Sequence, residues 1–448
     1  MQTIEALLAQ ASDLVWGPPL LILLFGTHLF LTVRLKFIQR FLPQAIRLSF
    51  SREKEGDGDV SQFGALTTAL AATIGTGNIV GVATAVAAGG PGAVLWMWLT
   101  GVFGVATKYA EAVLAVKYRV RMPNGMMAGG PMYALERGLG SKPLGMLFAV
   151  LTAVAAFGIG NMTQANSIAG LAQQNFGLSP YLTGAVMTVL TAVVILGGIS
   201  RIATVCEKLV PFMAAFYILG CLILIVMHAE RIPDTVSLII GSAFNGHAAV
   251  GGFLGAGVVQ AMRFGIARGL FSNESGLGSA PIVAAAAQTR NPVRQALVSA
   301  TGTFWDTVVV CALTGLVVVN SGGWQQGLSG SALTNFAFGD LPVVGPIVLT
   351  IGLLTFVFST ILGWAFYGEK AAEYLFGSGV IVPYRVLWVV AVFVGSVSTL
   401  TAVWSFSDVA NGLMAVPNLI SLLALNGVIV KETAEYLWSG NLDKSSGH

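Results

Sequence analysis

Apolar runs of about 20 residues recur along the whole chain and constrain its fold more than any other feature. A helix needs about 20 consecutive apolar residues to cross the hydrocarbon core of a bilayer. Only 10% of the 448 residues are charged, against about 25% in soluble domains. We therefore predict an all-α polytopic membrane protein, and we disfavour soluble enzymes, nucleic-acid binders and secreted disulfide scaffolds. The eleven predicted transmembrane spans, numbered in chain order, are 14–36, 62–86, 92–118, 144–173, 179–199, 206–229, 249–271, 295–320, 342–367, 383–404 and 407–429.

The positions of the lysines and arginines predict how these spans are oriented. All but two of the 23 cationic residues are assigned to one side of the predicted membrane, including Arg263 and Arg268 at the end of span seven. The exceptions are Lys108, inside span three, and Arg231, on the opposite side. Because cytoplasmic loops carry an excess of Lys and Arg, this bias predicts an outside N-terminus and a cytoplasmic C-terminus.

Two glycines interrupt the middle of span two, where Gly75 and Gly77 flank Thr76. Glycine weakens a helix by about 1 kcal/mol relative to alanine, and broken helix at this depth must face protein or a water-filled cavity. A break here exposes the amides of Thr76 and Gly77, which suit a carboxylate. It also exposes carbonyls that suit Na⁺, such as those of Ala71, Thr73 and Ile74. Close helix packing through small residues is the alternative interpretation.

Spans four and nine carry polar side chains that are expensive to place in hydrocarbon. Asn161 and Gln164 in span four are three residues apart, so an α-helix would put them on one face, towards a cavity or a neighbouring helix. In span nine, Ser359 and Thr360 can coordinate a hard cation or bond back to their own helix. Trp364 follows Thr360 by one turn. A cation site and the wall of a substrate pocket can therefore share one face of span nine.

Ionisable residues within the predicted spans are few and therefore informative. Lys108 in span three and Asp306 in span eight lie at similar depth, and we expect them to form an ion pair with Glu111 nearby. The competing interpretation makes Asp306 a cation ligand or a proton carrier. A polar patch follows span seven at 273–278, and it is either an inner gate or an ordered turn. The histidines and cysteines have no catalytic or metal-like spacing.

Taken together, these motifs resemble the alanine/glycine:cation symporters (the sodium:alanine symporter family) over nearly the whole chain. The matching segments are Trp16-Gly-Pro, Ala72-Thr-Ile-Gly-Thr-Gly-Asn-Ile-Val-Gly-Val-Ala-Thr84, Gly89-Gly-Pro-Gly-Ala, Trp96-Met-Trp, Gly129-Gly-Pro-Met-Tyr, Phe157-Gly-Ile-Gly-Asn-Met, Phe271-Ser-Asn-Glu-Ser-Gly-Leu-Gly-Ser-Ala-Pro281 and Phe358-Ser-Thr-Ile-Leu-Gly-Trp. The family is placed in the amino acid–polyamine–cation superfamily. This placement implies the leucine-transporter-like fold, a 5+5 inverted repeat.

The resemblance also implies a division of the chain. Residues 1–61 hold an extra N-terminal transmembrane helix and a cytoplasmic linker. Residues 62–229 form the first five-helix repeat (spans two to six) and 230–430 the second, inverted repeat (spans seven to eleven). Residues 431–448 are a cytoplasmic tail. The orientation predicted from charge agrees, because spans two and seven start on opposite sides of the membrane.

Site residues are assigned from this resemblance together with the motifs. The expected substrate-binding residues are Thr76, Gly77, Asn161, Gln164, Trp364 and Gly257, the last from a second helix break expected at Gly255–Gly257 with Gln260 nearby. One Na⁺ site is expected at Ala71, Ile74, Ser359 and Thr360, and a second at Thr73 and Asn78. A bulky indole at Trp364 is expected to favour a small substrate.

The resulting prediction is secondary active symport in the cell membrane. A small neutral amino acid, alanine or glycine, enters with Na⁺ as coupling ion and with no organic cofactor or nucleic-acid partner. One alternative keeps the fold but couples transport to H⁺ through Asp306 or Glu274. An intramembrane enzyme is disfavoured because no nucleophile and base lie together in the predicted spans. A channel would conduct ions without saturable exchange of alanine.

Overall fold

The structure is a computed structural model, and it describes residues 2–51, 56–244, 256–341, 344–398 and 400–445. Its α-helices are α1 Gln2–Val15, α2 Pro18–Arg34, α3 Leu42–Ser49, α4 Gln62–Thr73, α5 Val82–Gly89, α6 Ala93–Lys117, α7 Pro131–Tyr133, α8 Lys142–Phe157, α9 Thr163–Phe176, α10 Pro180–Ile195, α11 Gly198–Met227, α12 Ile232–Phe244, α13 Ala256–Asn273, α14 Pro281–Ala284, α15 Pro292–Thr303, α16 Ala312–Asn320, α17 Gly330–Phe338, α18 Val344–Phe376, α19 Ile381–Val397, α20 Leu400–Ala424 and α21 Asn426–Thr433. Segments of π-helix are Gly77–Gly81, Ala134–Gly138, Gly158–Met162, Phe304–Cys311 and Ala434–Trp438, and 3₁₀ turns are Ile38–Phe41, Ala229–Arg231, Gly323–Gln326 and Ser378–Val380. Two short strands, β1 Val120–Arg121 and β2 Met127–Ala128, pair antiparallel.

The long apolar helices confirm a polytopic helical membrane protein. Among the described residues, 8 helices are long and apolar enough to cross a membrane, or 9 if the bent pair α4–α5 counts as one span. These helices coincide with predicted spans one to four, six and eight to eleven. Predicted span five is the shorter apolar helix α10, and span seven lies partly outside the described residues. The total of eleven therefore stays a prediction.

Span two is broken where the glycine motif predicts. Helix α4 ends at Thr73, Ile74 is extended, and the chain resumes in the π-helical turn from Gly77. The two halves of the span are bent by 52°. Ser61 caps the start of α4, because its side chain accepts a hydrogen bond from Gly64 N. Span two therefore has two separate half-helices, and the backbone groups between them must find partners outside the regular helix pattern.

Span seven is broken at a different place from the one that the sequence suggests. Helix α13 is continuous from Ala256 to Asn273, and the chain is irregular until α14 begins at Pro281. Gly257 lies in the first turn of α13, roughly 24 Å along the helix from Asn273 at 1.5 Å per residue. The break expected at Gly255–Gly257 is therefore wrong for Gly257, and Gly255 lies outside the described residues. Gln260 is exposed on the same helix.

The conformation of the chain explains why span seven breaks after Asn273. Glu274, Gly276 and Gly278 have φ angles of +56°, +91° and +85°, values that an α-helix cannot contain. Two of the three are glycines, for which positive φ costs little, whereas Glu274 adopts it at a steric cost. Pro281 then starts the next helix, because its missing N–H is not needed in the first turn. The polar patch at 273–278 is thus the broken part of span seven.

Two helix groups meet at these breaks. In the first group, which we call the bundle (spans two, three, seven and eight), α6 packs against α13 and α15, and α13 packs against α5. In the second group, which we call the scaffold (spans four, five, nine and ten), α18 packs against α8 and α9, and α10 packs against α19. Helix α18 also contacts α4 of the bundle. Helix α2, from the extra N-terminal segment, covers α6.

Two arginines assigned to the end of span seven lie in its first half, before the break. Arg263 forms an ion pair of 2.8 Å with Asp13 near the beginning of the chain. Arg268 lies 3.6 Å from Asp408. Both arginines lie in α13, before the break that follows Asn273, whereas Arg290 and Arg294 lie after it. The broken part of span seven therefore separates these two pairs of arginines, and the assignment of all four to one side of the membrane stays a prediction.

Candidate functional site

The break in span two lies against span nine at the residues predicted for a cation site. Ser359 Oγ lies 3.2 Å from the carbonyl oxygen of Ala71 and 2.9 Å from Phe356 O of its own helix, and its one proton is shared between these two acceptors. Thr360 Oγ1 donates to the carbonyl of Ile74 at 3.3 Å. Both side chains are buried. Carbonyl and hydroxyl oxygens are the ligands that hard cations prefer. The structure therefore brings all four of these residues together, from the bundle and the scaffold.

The break itself is tightly packed. A Cβ atom at Gly75 would lie 2.6 Å from Thr360 Oγ1 and 3.3 Å from Gln164 Oε1, so this position requires glycine. Gly75 N donates to Asn78 Oδ1 at 2.9 Å. Thr76 N donates to Gln164 Oε1 at 3.4 Å. The side chain of Gln164 thus places an oxygen at one of the two amides predicted to bind a carboxylate.

A cavity of about 480 Å³ leads to these amides. Its walls come from both helix groups and include Thr76, Gly77, Asn166, Arg268, Phe271 and Asp408. The Arg268–Asp408 ion pair lies in this wall, with its side chains only partly exposed. A small molecule can therefore approach the break of span two from the end of the molecule that carries these two residues.

Asp306 lies at the centre of a second polar cluster. Its Oδ1 accepts from Asn78 Nδ2 at 2.7 Å, and its Oδ2 accepts from Ser272 Oγ at 3.0 Å and Thr307 Oγ1 at 2.6 Å. The carboxyl group is fully buried. Asn78 comes from span two, Ser272 from span seven and Asp306 from span eight. Three bundle helices therefore meet at one carboxylate.

The predicted ion pair between Lys108 and Asp306 does not form. The ammonium of Lys108 has no hydrogen-bond partner among the described residues, whereas three donors already satisfy Asp306. Similar depth in the membrane was the basis of that prediction, and depth does not determine which side chains meet. Sequence reasoning also missed Ser272, although it directly precedes the polar patch. The hydroxyl of Thr73 bonds to Ala69 O of its own helix.

The two predicted polar residues of span four point to different neighbours. Gln164 approaches span two, as described above, whereas Asn161 Nδ2 donates to Trp388 O of span ten at 2.9 Å. Asn161 itself lies in the π-helical turn Gly158–Met162, which ends two residues before Gln164. A π turn holds one extra residue, so it rotates side chains away from the 3.6-residue spacing. The prediction of one shared face therefore fails.

Trp364 connects the scaffold to the break of span seven. Its indole Nε1 donates to Glu274 Oε1 at 2.9 Å, and the side chain is 1% exposed. Span four permits this position, because a Cβ at Gly160 would lie 2.1 Å from Trp364 Cβ. Ser279 Oγ donates to the other oxygen of Glu274 at 2.5 Å. Glu274 therefore joins the irregular segment of span seven to span nine.

Glu111 holds the same irregular segment from the other side. Its Oε1 accepts from Gly276 N and Gly278 N, each at 3.0 Å, and from Asn418 Nδ2 at 2.7 Å. Successive backbone amides in such a conformation form a concave binding site for an anion. Here the anion is supplied by span three, and it stabilises the broken part of span seven. Gly276 and Gly278, which lie two residues apart, are the sequence feature that could have indicated this arrangement.

Comparison with known proteins finds relatives along the full chain. The sequence model of the sodium:alanine symporter family matches residues 1–446. An uncharacterised transporter from Haemophilus influenzae is 54% identical over 439 residues, which cover 97% of this chain and 96% of that protein. The sodium/alanine symporter AgcS from Methanococcus maripaludis is 52% identical over 442 residues, covering 96% of this chain and 97% of that protein. The crystal structure of MhsT in complex with L-phenylalanine shares the fold, with a TM-score of 0.63 and 14% identity over 87% of this chain and 94% of that one.

Proposed function

Because the chain belongs to the sodium:alanine symporter family, we propose that it imports a small neutral amino acid, alanine or glycine, together with Na⁺. The observation that carries this proposal is the break of span two. Its amides at Thr76 and Gly77 border a cavity, and its carbonyls at Ala71 and Ile74 meet two hydroxyls of span nine. Substrate and cation can therefore bind to the two halves of one broken helix.

The substrate site that we propose is built around Thr76. The carboxylate of the amino acid binds the amides of Thr76 and Gly77 and displaces the Gln164 oxygen from Thr76 N. Trp364 limits the space available to the side chain and so favours alanine or glycine. Asn161 Oδ1 is buried and has no partner among the described residues, so it is available to accept a hydrogen bond from the substrate ammonium group or from water.

The first Na⁺ site that we propose replaces two hydrogen bonds with coordination. Na⁺ binds the carbonyls of Ala71 and Ile74 and the hydroxyl oxygens of span nine, which turn their protons away. The second Na⁺ site uses the Asn78 side chain, the Thr73 carbonyl and the carboxylate of Asp306. The close approach of Ser272 to Asp306 supports this location. A carboxylate supplies the negative charge that the first site lacks.

Transport then follows from relative movement of the two helix groups. We propose that residues 62–229 and 230–430 are inverted repeats and that the bundle rocks against the scaffold around the site. Substrate and Na⁺ are coupled because both must bind before the broken span two can close onto span nine. In this proposal the N-terminus faces the outside and the C-terminus faces the cytoplasm. The reason is that most cationic loops are assigned to the same side of the membrane as the C-terminus.

A binding panel tests the proposed function directly. Purified protein is titrated with alanine, glycine, serine and leucine in Na⁺ buffer and in choline buffer, at several pH values. We expect binding of alanine or glycine in Na⁺ and at least about tenfold weaker binding in choline, a difference of about 1.4 kcal/mol. Binding that depends on pH and not on Na⁺ would instead favour H⁺ coupling through Asp306 or Glu274.

Replacing Ser359 by alanine tests the first Na⁺ site. The variant loses one of the hydroxyl ligands, so we expect the Na⁺ concentration needed for half-maximal alanine binding to rise about tenfold. The matched control is Thr355→Ala in the same helix, whose hydroxyl donates to Ile351 O of its own helix at 2.8 Å. Equal Na⁺ dependence in the two variants would show that Ser359 is not a ligand.

A further inference from the structure

Lys108 is a buried cation whose ammonium group has no hydrogen-bond partner in the described part of the chain. It is 3% exposed in the middle of α6, and among the described residues its Nζ makes no hydrogen bond. The other buried cations in the described part of the chain are different. Arg294 pairs with Asp443 at 2.7 Å, and Lys370 pairs with Glu373 at 2.7 Å. A partnerless buried ammonium is costly and therefore calls for a functional explanation.

Three buried carboxyl groups, those of Glu111, Glu274 and Asp306, lie in the region around Lys108. Glu111 follows Lys108 by three residues on one face of α6. A Cβ at Gly104, one turn before Lys108, would lie 3.0 Å from Ser275 Oγ, next to Glu274, and α6 packs against the segment Phe304–Cys311, which carries Asp306. All three already accept hydrogen bonds from other residues, so none is committed to Lys108. Lys108 also lines a cavity of about 10 Å³ between the bundle helices, which is about the space of one water molecule. The ammonium group therefore lies beside a small space and near several carboxylates, none of which it pairs with.

The balance of charge in this region changes during the proposed transport cycle. Three carboxylates and one ammonium group leave an excess of negative charge, which bound Na⁺ offsets. After Na⁺ and the amino acid are released inside the cell, the empty carrier must return to the outward-facing state. Uncompensated carboxylates in a low-dielectric region oppose any step that closes them off from water. A lysine ammonium group that can move towards these carboxylates neutralises part of their charge, so that the region can close off from water.

We propose that Lys108 is the internal counter-cation of the unloaded carrier. When Na⁺ leaves, the ammonium group moves towards the vacated carboxylates, chiefly Asp306, and the bundle can then reorient without cargo. When Na⁺ binds, it takes over this role and repels the ammonium group away from Asp306. Lys108 touches neither substrate nor Na⁺ and is a positioning residue of the return step. This inference rests on the proposed function.

The test separates net uptake from exchange in proteoliposomes. Net uptake of labelled alanine needs the empty carrier to return, whereas exchange against internal alanine with Na⁺ on both sides does not. For Lys108→Met we expect exchange within about twofold of the wild type and net uptake reduced at least tenfold, which is about 1.4 kcal/mol in the barrier of one step. Lys108→Arg keeps the charge, and we expect it to keep a ratio of net uptake to exchange close to that of the wild type.

The ratio of the two rates decides the outcome, because it does not depend on how much protein is folded. If both rates of Lys108→Met fall by the same factor, Lys108 has a structural role only and the inference is overturned. An unchanged ratio at wild-type rates overturns it as well. If Lys108→Met does not accumulate in the membrane, Lys108→Gln is measured by the same criterion. Failure of the wild type to take up alanine with Na⁺ would instead contradict the proposed function itself.

Discussion

Replacing Gly160 by alanine is expected to abolish most transport. The added Cβ would lie 2.1 Å from Trp364 Cβ and 2.3 Å from Trp364 Cγ, far inside van der Waals contact. Trp364 cannot yield easily, because it is 1% exposed and its indole is held by Glu274. Overpacking of this kind costs about 1–3 kcal/mol. Displacing Trp364 would also disturb the proposed substrate pocket and the break of span seven together.

The expected result for Gly160→Ala is a loss of alanine uptake of at least about tenfold, which corresponds to about 1.4 kcal/mol and lies within that range of energies. Uptake is measured per amount of folded protein, with thermal unfolding recorded in parallel. Gly26→Ala is the matched control, since Gly26 is also a transmembrane glycine but its Cβ would have no heavy atom within 4 Å. Wild-type uptake by Gly160→Ala would show that the contact with Trp364 does not shape the site.

Removing the carboxylate of Glu111 is expected to have the second large effect. Glu111→Ala leaves Gly276 N, Gly278 N and Asn418 Nδ2 without this acceptor in a buried region. Each buried unsatisfied group costs about 1–3 kcal/mol. We therefore expect a loss of several kcal/mol in stability and, with the break of span seven unsupported, loss of transport. Glu111→Gln keeps an acceptor oxygen and should have an intermediate effect.

A surface carboxylate supplies the control for Glu111. Asp57 pairs with Arg121 at 2.8 Å, but both side chains are more than half exposed, so Asp57→Asn should change the free energy of unfolding by less than about 0.5 kcal/mol. Thermal unfolding in detergent ranks the variants. The order expected from least to most stable is Glu111→Ala, Glu111→Gln, then Asp57→Asn with the wild type. Equal stability of Glu111→Ala and Asp57→Asn would contradict the support assigned to Glu111.

The sequence was most informative where a local pattern determines the structure. The apolar runs predict nine of the spans that the structure supports, and Gly75 and Gly77 predict the break of span two. The meeting of Ser359 and Thr360 with the carbonyls of Ala71 and Ile74 was implied by the family resemblance and is seen in the structure. These features depend on residues that are close in sequence or on motifs that recur in one family.

Other features depend on the three-dimensional arrangement and were missed. The cluster of glycines around Gly257 led to a break being predicted there, whereas positive φ angles within 274–280 break span seven. A π-helical turn in span four changes the spacing on which the pairing of Asn161 with Gln164 was based. Two of the three partners of Asp306, Asn78 and Ser272, come from other helices, so no spacing along one helix could reveal them.

The membership of the chain in the sodium:alanine symporter family and the fold shared with MhsT establish a helical transporter in the membrane. The proposed coupling to Na⁺ depends on a smaller set of residues at the break of span two. In proteoliposomes, coupling to Na⁺ requires an inward gradient of Na⁺, whereas coupling to H⁺ requires an inward gradient of H⁺. An imposed gradient of one ion without the other therefore separates the two mechanisms.

Uptake of alanine into proteoliposomes under imposed ion gradients tests this central claim most directly. Vesicles loaded with choline are diluted into Na⁺ buffer at equal pH, or into choline buffer with an inward pH gradient. Our account predicts accumulation of alanine above its external concentration under the Na⁺ gradient and no accumulation under the pH gradient alone. Equal accumulation under the pH gradient, or none under the Na⁺ gradient, would contradict it.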